Sequence, residues 1–591
     1  MESASVGSKY PSGSVTPQGG PSQRLLLPAL LLFAAVAGTL QVRSVDVFWH
    51  LASGRWILEH GRVPTADPFR FTHQGAAWVD HEWLFQVIVG GLERLGGIPA
   101  LTAFRAALVV LLAAALWGGL RRAGAPPAAA ALTAVAALLA ARGRFLLRPE
   151  LVSLLLLALF LALLQAHRRQ PRPGRLALLA GVVALWANLH PAALAAPGLA
   201  AAHLLGSRLP GGSGPPARGA PLPWGHVLLA PPLLALALLA NPYGVELLAV
   251  PLRIGRSLSG LPGFNPEWLP LWLAPRPFVL AFLAAIAALA VVAAWRTRRV
   301  DPATGLVALL LLALAVRSVR HVGLFAIGGA FFAGEALAAL AHGAARSPKW
   351  QRRAAPLALL ATALAAAWVV VPPPSGPLRP RGVAMRFGVG IQPGLFPAAA
   401  VERVAAWPGL GNLYNDVAFG GYLLWRLYPP RQVFIDSRNE VDPGLLRELA
   451  AARSDSRRWQ GLLDRHQVDG ALVRYDERPR PVVIGGVPGQ PVVEHHTSSA
   501  LFFPPEQFAL VHWDDVALLF VRRTPGRREE LAAVEYRFVQ PEDWRAMLAR
   551  AAADSAVRAG ALRELRRKLA EEPGSRRARE LLLALDGLDR R

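Results

Sequence analysis

The sequence has no cysteine, so neither disulfides nor thiolate metal sites are open to it, an absence compatible with either side of a bacterial membrane. Acids are scarce as well: 39 Asp and Glu stand against 63 Lys and Arg in 591 residues, a formal net charge of +24. A surplus of that size raises nucleic acid as a partner. There is, however, no stacking-aromatic or phosphate-loop motif, and the arginines cluster at the ends of apolar spans, where orientation and lipid headgroups account for them. No nucleic-acid partner is therefore expected. Gly420 and Gly421 lack the spacing of a nucleotide loop, and no clear internal repeat is found. What the chain has in excess is apolar surface. With 53% hydrophobic residues it is too apolar for a soluble protein of this length and reads as a polytopic membrane protein.

Residues 1–24 are rich in Ser, Gly and Pro and read as a disordered cytoplasmic tail. The tail is too long and polar for an ordinary signal n-region, so residues 25–42 read as a retained first helix, although small residues near Gly38 leave cleavage open. Further apolar spans follow at 100–120, 126–141, 151–166, 176–189, 193–205, 227–240, 278–295, 305–316, 322–340 and 354–371, giving about eleven transmembrane helices. Several are shorter than the roughly 20 residues a spanning helix needs and must borrow their flanks. Residues 84–95 are too short and interrupted for a span and read as an interfacial or re-entrant helix. Alternating sides from a cytoplasmic N-terminus puts Arg121 and Arg122, the run 167–175, the loop 208–218, the run 296–299, and Lys349, Arg352 and Arg353 inside, as the positive-inside rule asks. This expectation fixes a transmembrane domain at 25–371 with a large first extracytoplasmic loop at 43–98, in a bacterial inner membrane. After the proline-rich segment PPPSGPLRPRG the composition changes. Residues 372–525 read as an extracytoplasmic α/β domain, with strands in RQVFIDSR and DGALVRY, helices in LLRELAAARSDSRRWQGLLDRH, and a hairpin in FALVHWDDVALLFVRR. Residues 526–591 read as a charged helical tail.

The same count puts the chemically capable residues on the outer face. The stretch 45–84, VDVFWHLASGRWILEHGRVPTADPFRFTHQGAAWVDHEWL, holds Asp46, His50, Glu59, His60, Asp67, His73, Asp80, His81 and Glu82. Asp46 and His50 are one helical turn apart and would share a face. Asp46 is expected to be partly desolvated, which favours a role as general base unless a metal or Arg holds it ionised. Asp80, His81 and Glu82 offer oxygen and imidazole donors for a divalent cation such as Mg or Mn, or for an acceptor hydroxyl, so Asp46, Asp80 and Glu82 are the candidate metal ligands. Asp67 precedes Pro and reads as a turn former. Two arginine groups, Arg142, Arg144 and Arg148, then Arg317 and Arg320 with His321, stand outside against the inside bias. Guanidinium forks match phosphate oxygens, so these groups suggest a phosphate or pyrophosphate clamp, with snorkelling to headgroups as the plainer alternative. Asn188, His190, Asn241 and Tyr243 occur in WANLHP and ANPYG, where they line the cavity or satisfy backbone at broken helix ends. Asn415, Asp416, Asp436, Arg438 and Glu440 form either a site or a packed turn with a strand-end salt bridge.

This layout of an N-terminal helix, a first outer loop opening with an acid, a many-helix bundle and a C-terminal outer domain resembles the GT-C class of membrane glycosyltransferases. That class includes protein O-mannosyltransferases, aminoarabinose transferases and oligosaccharyltransferase subunits. The segment 46–84, with RFLLRPE, WANLH, YNDVAFGGYLLW and VFIDSR, is also similar to bacterial membrane proteins grouped with the class. The resemblance implies a polyprenyl-phosphate-linked sugar as donor, with Asp46 matching the loop acid and Asp80 or Glu82 the second. Two departures stand out. The paired acids common at the start of that loop are replaced by Asp46-Val47, and the C-terminal domain has no WWD-type signature, which sets the chain apart from oligosaccharyltransferases.

The expected protein is thus a polytopic α-helical, GT-C-like membrane glycosyltransferase that uses membrane lipids and a polyprenyl-phosphate-linked sugar. Asp46, Glu82 and His81 are its catalytic candidates. His50, Asp80, Arg144, Arg148, His190, Arg317, Arg320 and His321 are its binding candidates, with Arg148 and Arg320 on the departing phosphate. Two other classes fit the residues: a transporter or flippase for a lipid-linked or anionic substrate, and a non-catalytic envelope scaffold.

Overall fold

Inside hydrocarbon a backbone can satisfy its own polar groups only as helix or closed barrel, and the apolar half of this chain is helical throughout. The computed structural model describes residues 21–210, 222–258, 266–298, 300–343, 348–371, 385–438, 443–453, 455–487 and 490–587. Most of the expected disordered tail, the whole proline-rich segment 372–382 and Glu440 lie outside the described residues. Among those described, six helices are long and apolar enough to cross a membrane: Pro21–Gly38, Trp83–Ala123, Pro149–Arg169, Pro277–Thr297, Val319–His342 and Arg353–Val370. Four shorter apolar helices, Pro173–Leu189, Pro191–Gly206, Trp224–Ala237 and Pro302–Arg317, pack among them. The chain is an integral membrane protein, and six of its apolar helices among the described residues are full-length.

Residues 84–95 belong to a short helix that ends at Gly96 and Gly97, the break within Trp83–Ala123, where Gly97 has φ 59° and ψ −152°. Only glycine takes that conformation without strain.

The helix Asp46–His60 is gripped from both sides. On the membrane-domain side, Gly54 lies against Gln86, so closely that a Cβ there would sit 2.0 Å from the Gln86 carbonyl oxygen. On the other side the helix Val417–Leu427 brings Gly421 against the Val45 carbonyl, and Phe48 is enclosed by Phe396, Tyr422 and Trp425 at ring distances of 4.7, 5.0 and 5.1 Å. The close approach that Gly421 allows is therefore helix packing, while Gly420 lies against the backbone of Ile435 and Asp436. Leu40 and Val42 also form bridges to Phe387 and Ile391, tying the start of the first loop to the chain beyond the last long helix.

The C-terminal part carries a small sheet domain. Its strands are β1 (Asn412–Asn415), β2 (Val468–Arg474), β3 (Arg480–Val487), β4 (Gln490–His496), β5 (Phe508–Trp513) and β6 (Ala517–Arg522). Four of them form a sheet in the order β1-β2-β6-β5, with β1 and β2 parallel and the other pairs antiparallel, while β3 and β4 make a separate two-stranded hairpin. The β5–β6 turn is fixed by Asp514, whose carboxylate accepts the N–H groups of Val516 and Ala517, each at 2.7 Å. RQVFIDSR, expected as a strand, is buried at Val433, Phe434 and Ile435 but makes only a single bridge, Val433 to Arg70. Its backbone is instead held by the Asn415 side chain, which donates to the Ile435 carbonyl at 2.7 Å and accepts from Phe434 N–H at 3.0 Å.

Candidate functional site

A cavity of about 590 Å³ opens between one end of the helical bundle and the sheet domain. From the bundle side Asp46, His50, His81, Glu82, Arg148 and Arg320 line it, joined by Glu150, His190, Glu267 and Trp268; from the domain side come Asp416, Ser437, Arg438 and Asp476. Asp46 and His50 reach it from one face of the Asp46–His60 helix. Asp46 is ion-paired with Arg148, whose Nε lies 2.9 Å away and donates to Ser44 Oγ at 2.8 Å, and it accepts from the Ser437 hydroxyl at 2.6 Å, so an arginine holds this acid and the domain supplies its second partner.

Charges alternate along the bundle wall. Arg148 also donates to Glu267 at 3.0 Å, Arg144 reaches Glu267 at 3.1 Å and pairs with Glu150, and Arg320 reaches Glu150 at 3.1 Å. The Arg320 guanidinium lies 4.5 Å over the Trp268 ring. Burial favours the neutral form of Glu267, but Arg148 and Arg144 outweigh it and hold the carboxyl below its usual range. Burial likewise opposes charge on Arg144, and Glu150 and Glu267 reverse that effect. These arginines therefore form a neutralised network rather than an open clamp.

Glu82 has a different setting. Its carboxylate faces three imidazoles: His50 Nε2 at 3.7 Å, His81 Nε2 at 3.7 Å and His190 Nε2 at 3.8 Å. These separations exceed a direct hydrogen bond. The His190 tautomer is set by its neighbours. Trp186 Nε1–H donates to Ser153 Oγ at 2.7 Å, and Ser153 Oγ lies 2.9 Å from His190 Nδ1, which also accepts from Ala192 N–H at 3.3 Å. With Nδ1 accepting, the proton sits on Nε2, toward Glu82. Burial, joined by nearby cations, pushes His190 down to about 3 and His50 well below its ordinary value, so both are neutral at physiological pH.

Behind the cavity a buried four-charge seam joins the first loop to the domain. Arg438 contacts Asp67 at 3.0 Å and Asp436 at 2.5 Å, Arg70 contacts Asp436 at 3.1 Å, and Arg438 packs over Trp78 at 4.5 Å. Burial would keep Asp436 neutral, but Arg438 and Arg70 overcome it and hold the carboxyl well below its usual range. Asp67 also accepts from Phe69 N–H at 3.0 Å, as its turn-forming role requires.

Several predicted site residues lie elsewhere. Arg317 is exposed and outside the cavity lining, and His321 Nδ1 pairs with the Leu314 carbonyl at 3.2 Å. Arg144 stands behind the lining and acts through Glu150 and Glu267. Asp80 is buried and accepts from Gln86 at 2.5 Å. Asn188 and Asn241 satisfy helix-end carbonyls, and the Tyr243 hydroxyl donates to Pro64 O at 2.8 Å. The three candidate metal ligands each face separate partners: Arg148 and Ser437 for Asp46, Gln86 for Asp80, the imidazoles for Glu82. Among the described residues no group of three or more His, Asp or Glu is placed to hold a metal ion. The donor set as arranged does not fit a divalent cation, and no step is derived through one. Sequence reading missed Glu267, a single acid in the span-free segment NPEWLP.

A helical membrane domain capped at one end by a small sheet domain, with an acid- and arginine-lined cavity between them, is a GT-C-like fold, and the chain has that fold. Two of the similar solved structures are crystal structures of the Archaeoglobus fulgidus oligosaccharyltransferase. For its complex with zinc and sulfate the TM-score is 0.52 at 10% identity, over 90% of this chain and 83% of that one. For its apo form the TM-score is 0.52 at 10% identity, over 86% and 81%. At that identity the likeness is one of fold. No protein-family model matches the chain, and no curated protein matches its sequence.

Proposed function

We propose that the protein is a GT-C-type glycosyltransferase that moves a sugar from a polyprenyl-phosphate-linked donor to an acceptor hydroxyl at the extracytoplasmic face of a bacterial inner membrane. One observation carries this reading: Asp46, Glu82, Arg148 and Arg320, from four separate parts of the chain, meet on one cavity. In the proposed step the acceptor oxygen bonds to the anomeric carbon as the bond from that carbon to the phosphate oxygen breaks. Asp46 takes the hydroxyl proton, and the lipid phosphate leaves with the electron pair. Arg148 and Arg320 stabilise the charge developing on the phosphate. Glu82, with His81 and the neutral imidazoles of His50 and His190 beside it, holds sugar or acceptor hydroxyls.

The test compares the purified wild type with Asp46→Asn in transfer from polyprenyl-linked sugars. Loss of a general base should slow transfer by about 10²–10⁴-fold. Equal transfer by both proteins would remove Asp46 from the mechanism.

A further inference from the structure

Three arginines and three carboxylates form an ion-pair network at the bundle side of the cavity: Arg148 and Arg320 in its wall and Arg144 behind it, against Asp46, Glu150 and Glu267. Within this network the charges balance, so a phosphate drawn to the cavity, whose domain side adds Arg453, Arg474 and Arg478, gains these guanidinium groups only in place of an acid. One of the acids has to give way, and they are not equally placed to do so.

Asp46 opens a helix held on both sides, and Glu150 sits in the first turn of the helix Pro149–Arg169. Glu267 belongs to the three-residue turn Pro266–Trp268. It also has the most exposed side chain of the three, 27% against 21% for Asp46 and 15% for Glu150. Its segment is fastened by a few hydrogen bonds, Ser318 Oγ–H to the Glu267 carbonyl at 3.0 Å, Val319 N–H to the Leu269 carbonyl at 2.9 Å and Leu271 N–H to the Val316 carbonyl at 3.0 Å. The two Glu267 oxygens are divided between two guanidinium groups, Oε1 on Arg148 and Oε2 on Arg144. Two oxygens of a phosphate can make the same pair of contacts. The adjacent Trp268 covers Arg320, so displacement of this one turn removes one partner from each of the three arginines, while Asp46 and Glu150 stay in place beside them.

We propose that Glu267 is a resident counter-anion, which occupies the guanidinium sites of the donor phosphate and is displaced when that phosphate binds. The inference rests on the reading of these arginines as the phosphate subsite and adds to it a residue that sets the affinity and selectivity of that subsite. Before binding, Glu267 keeps Arg144 and Arg148 positioned and charged. On binding, the phosphate takes over both arginines and the carboxylate turns toward water.

Binding of farnesyl phosphate and of inorganic phosphate to the full chain in detergent tests this without depending on transfer. Glu267→Gln should bind farnesyl phosphate about tenfold more tightly than the wild type, because a like charge near the phosphate is gone, and Arg148→Met should weaken binding in both backgrounds. A gain for farnesyl phosphate alone assigns a lipid phosphate, and an equal gain for inorganic phosphate assigns the free anion; either supports displacement. Unchanged or weaker binding by a folded Glu267→Gln, with dependence on Arg148 intact, overturns the counter-anion role alone. Binding indifferent to Arg148 overturns the phosphate subsite as well. Hydrogen exchange on the wild type gives a second measurement that needs no variant: the amides of residues 266–273 should exchange faster with farnesyl phosphate bound, and unchanged or slower exchange there refutes displacement.

Discussion

Arg438→Met is the substitution with the most calculable cost. The Arg438 side chain is fully buried, 0% exposed, and contacts Asp67 at 3.0 Å and Asp436 at 2.5 Å. Methionine fills much of the same volume but leaves two buried carboxylates sharing the single guanidinium of Arg70, which lies 3.1 Å from Asp436 and 3.7 Å from Asp67. Removing one member of a buried ionic network while its partners stay charged costs about 3–5 kcal/mol. Thermal or denaturant unfolding in detergent, followed by tryptophan fluorescence, measures the loss; Trp78 lies against Arg438 at 4.5 Å and reports on the seam. Adding Asp67→Asn should recover part of the stability, since it removes one uncompensated charge. The pH dependence has a definite sign. Asp436 is held well below its usual range, burial opposing and Arg438 and Arg70 prevailing. Its contribution is complete above about pH 4, where the unfolded carboxyl ionises, and is lost as pH falls toward the folded value. In Arg438→Met the onset of acid unfolding should move to higher pH. A loss below about 1 kcal/mol, or a double variant no more stable than the single one, would refute the account of the seam as a charge network.

Two other perturbations probe the cavity's frame. Gly54→Ala places a Cβ 2.0 Å from the Gln86 carbonyl oxygen, a clash with backbone that must push the helices apart by more than an ångström; transfer should fall by at least about tenfold even where the protein still folds, as a kcat/KM measurement on the folded fraction would show. His190, held neutral by burial down to about pH 3, takes up a proton only after unfolding; stability should therefore fall by about 1.4 kcal/mol per pH unit on acidifying from about pH 6.5 toward 3, and His190→Gln should flatten the slope measured by unfolding at a series of pH values.

Much of the site could be read from local pattern. Asp46 and His50, four residues apart, face one cavity because their segment is helical, as the spacing predicted. Arg148 and Arg320 line the same cavity as Glu82 because each stands at an end of an apolar helix, and alternation of spans already put those ends together. Pairing that runs over long stretches of chain could not be read. Nothing within VFIDSR distinguishes a sheet strand from an extended segment clasped by Asn415 and Arg70, and Arg144 is legible as a phosphate ligand until Glu267, 123 residues away, is seen to occupy it. Glu267 itself has no helical or strand period around it. The break at Gly96 and Gly97 was present as a Gly-Gly pair, but the continuity of helix on both sides depends on packing against the first helix and on the Asp46–His60 helix.

The seam between Asp67, Arg70, Asp436 and Arg438 joins positions 366 to 371 residues apart, and this bears on how the protein is made. At a synthesis rate of roughly 5–20 residues per second, the first loop emerges roughly 20–75 s before its partners. Through that interval Asp67 and Arg70 have only each other, and Asp46 waits for the hydroxyl of Ser437. Every helix of the bundle must be threaded before the cavity gains its second wall. The order of synthesis thus leaves the cavity incomplete until at least four-fifths of the chain, through Asp476, has been translated.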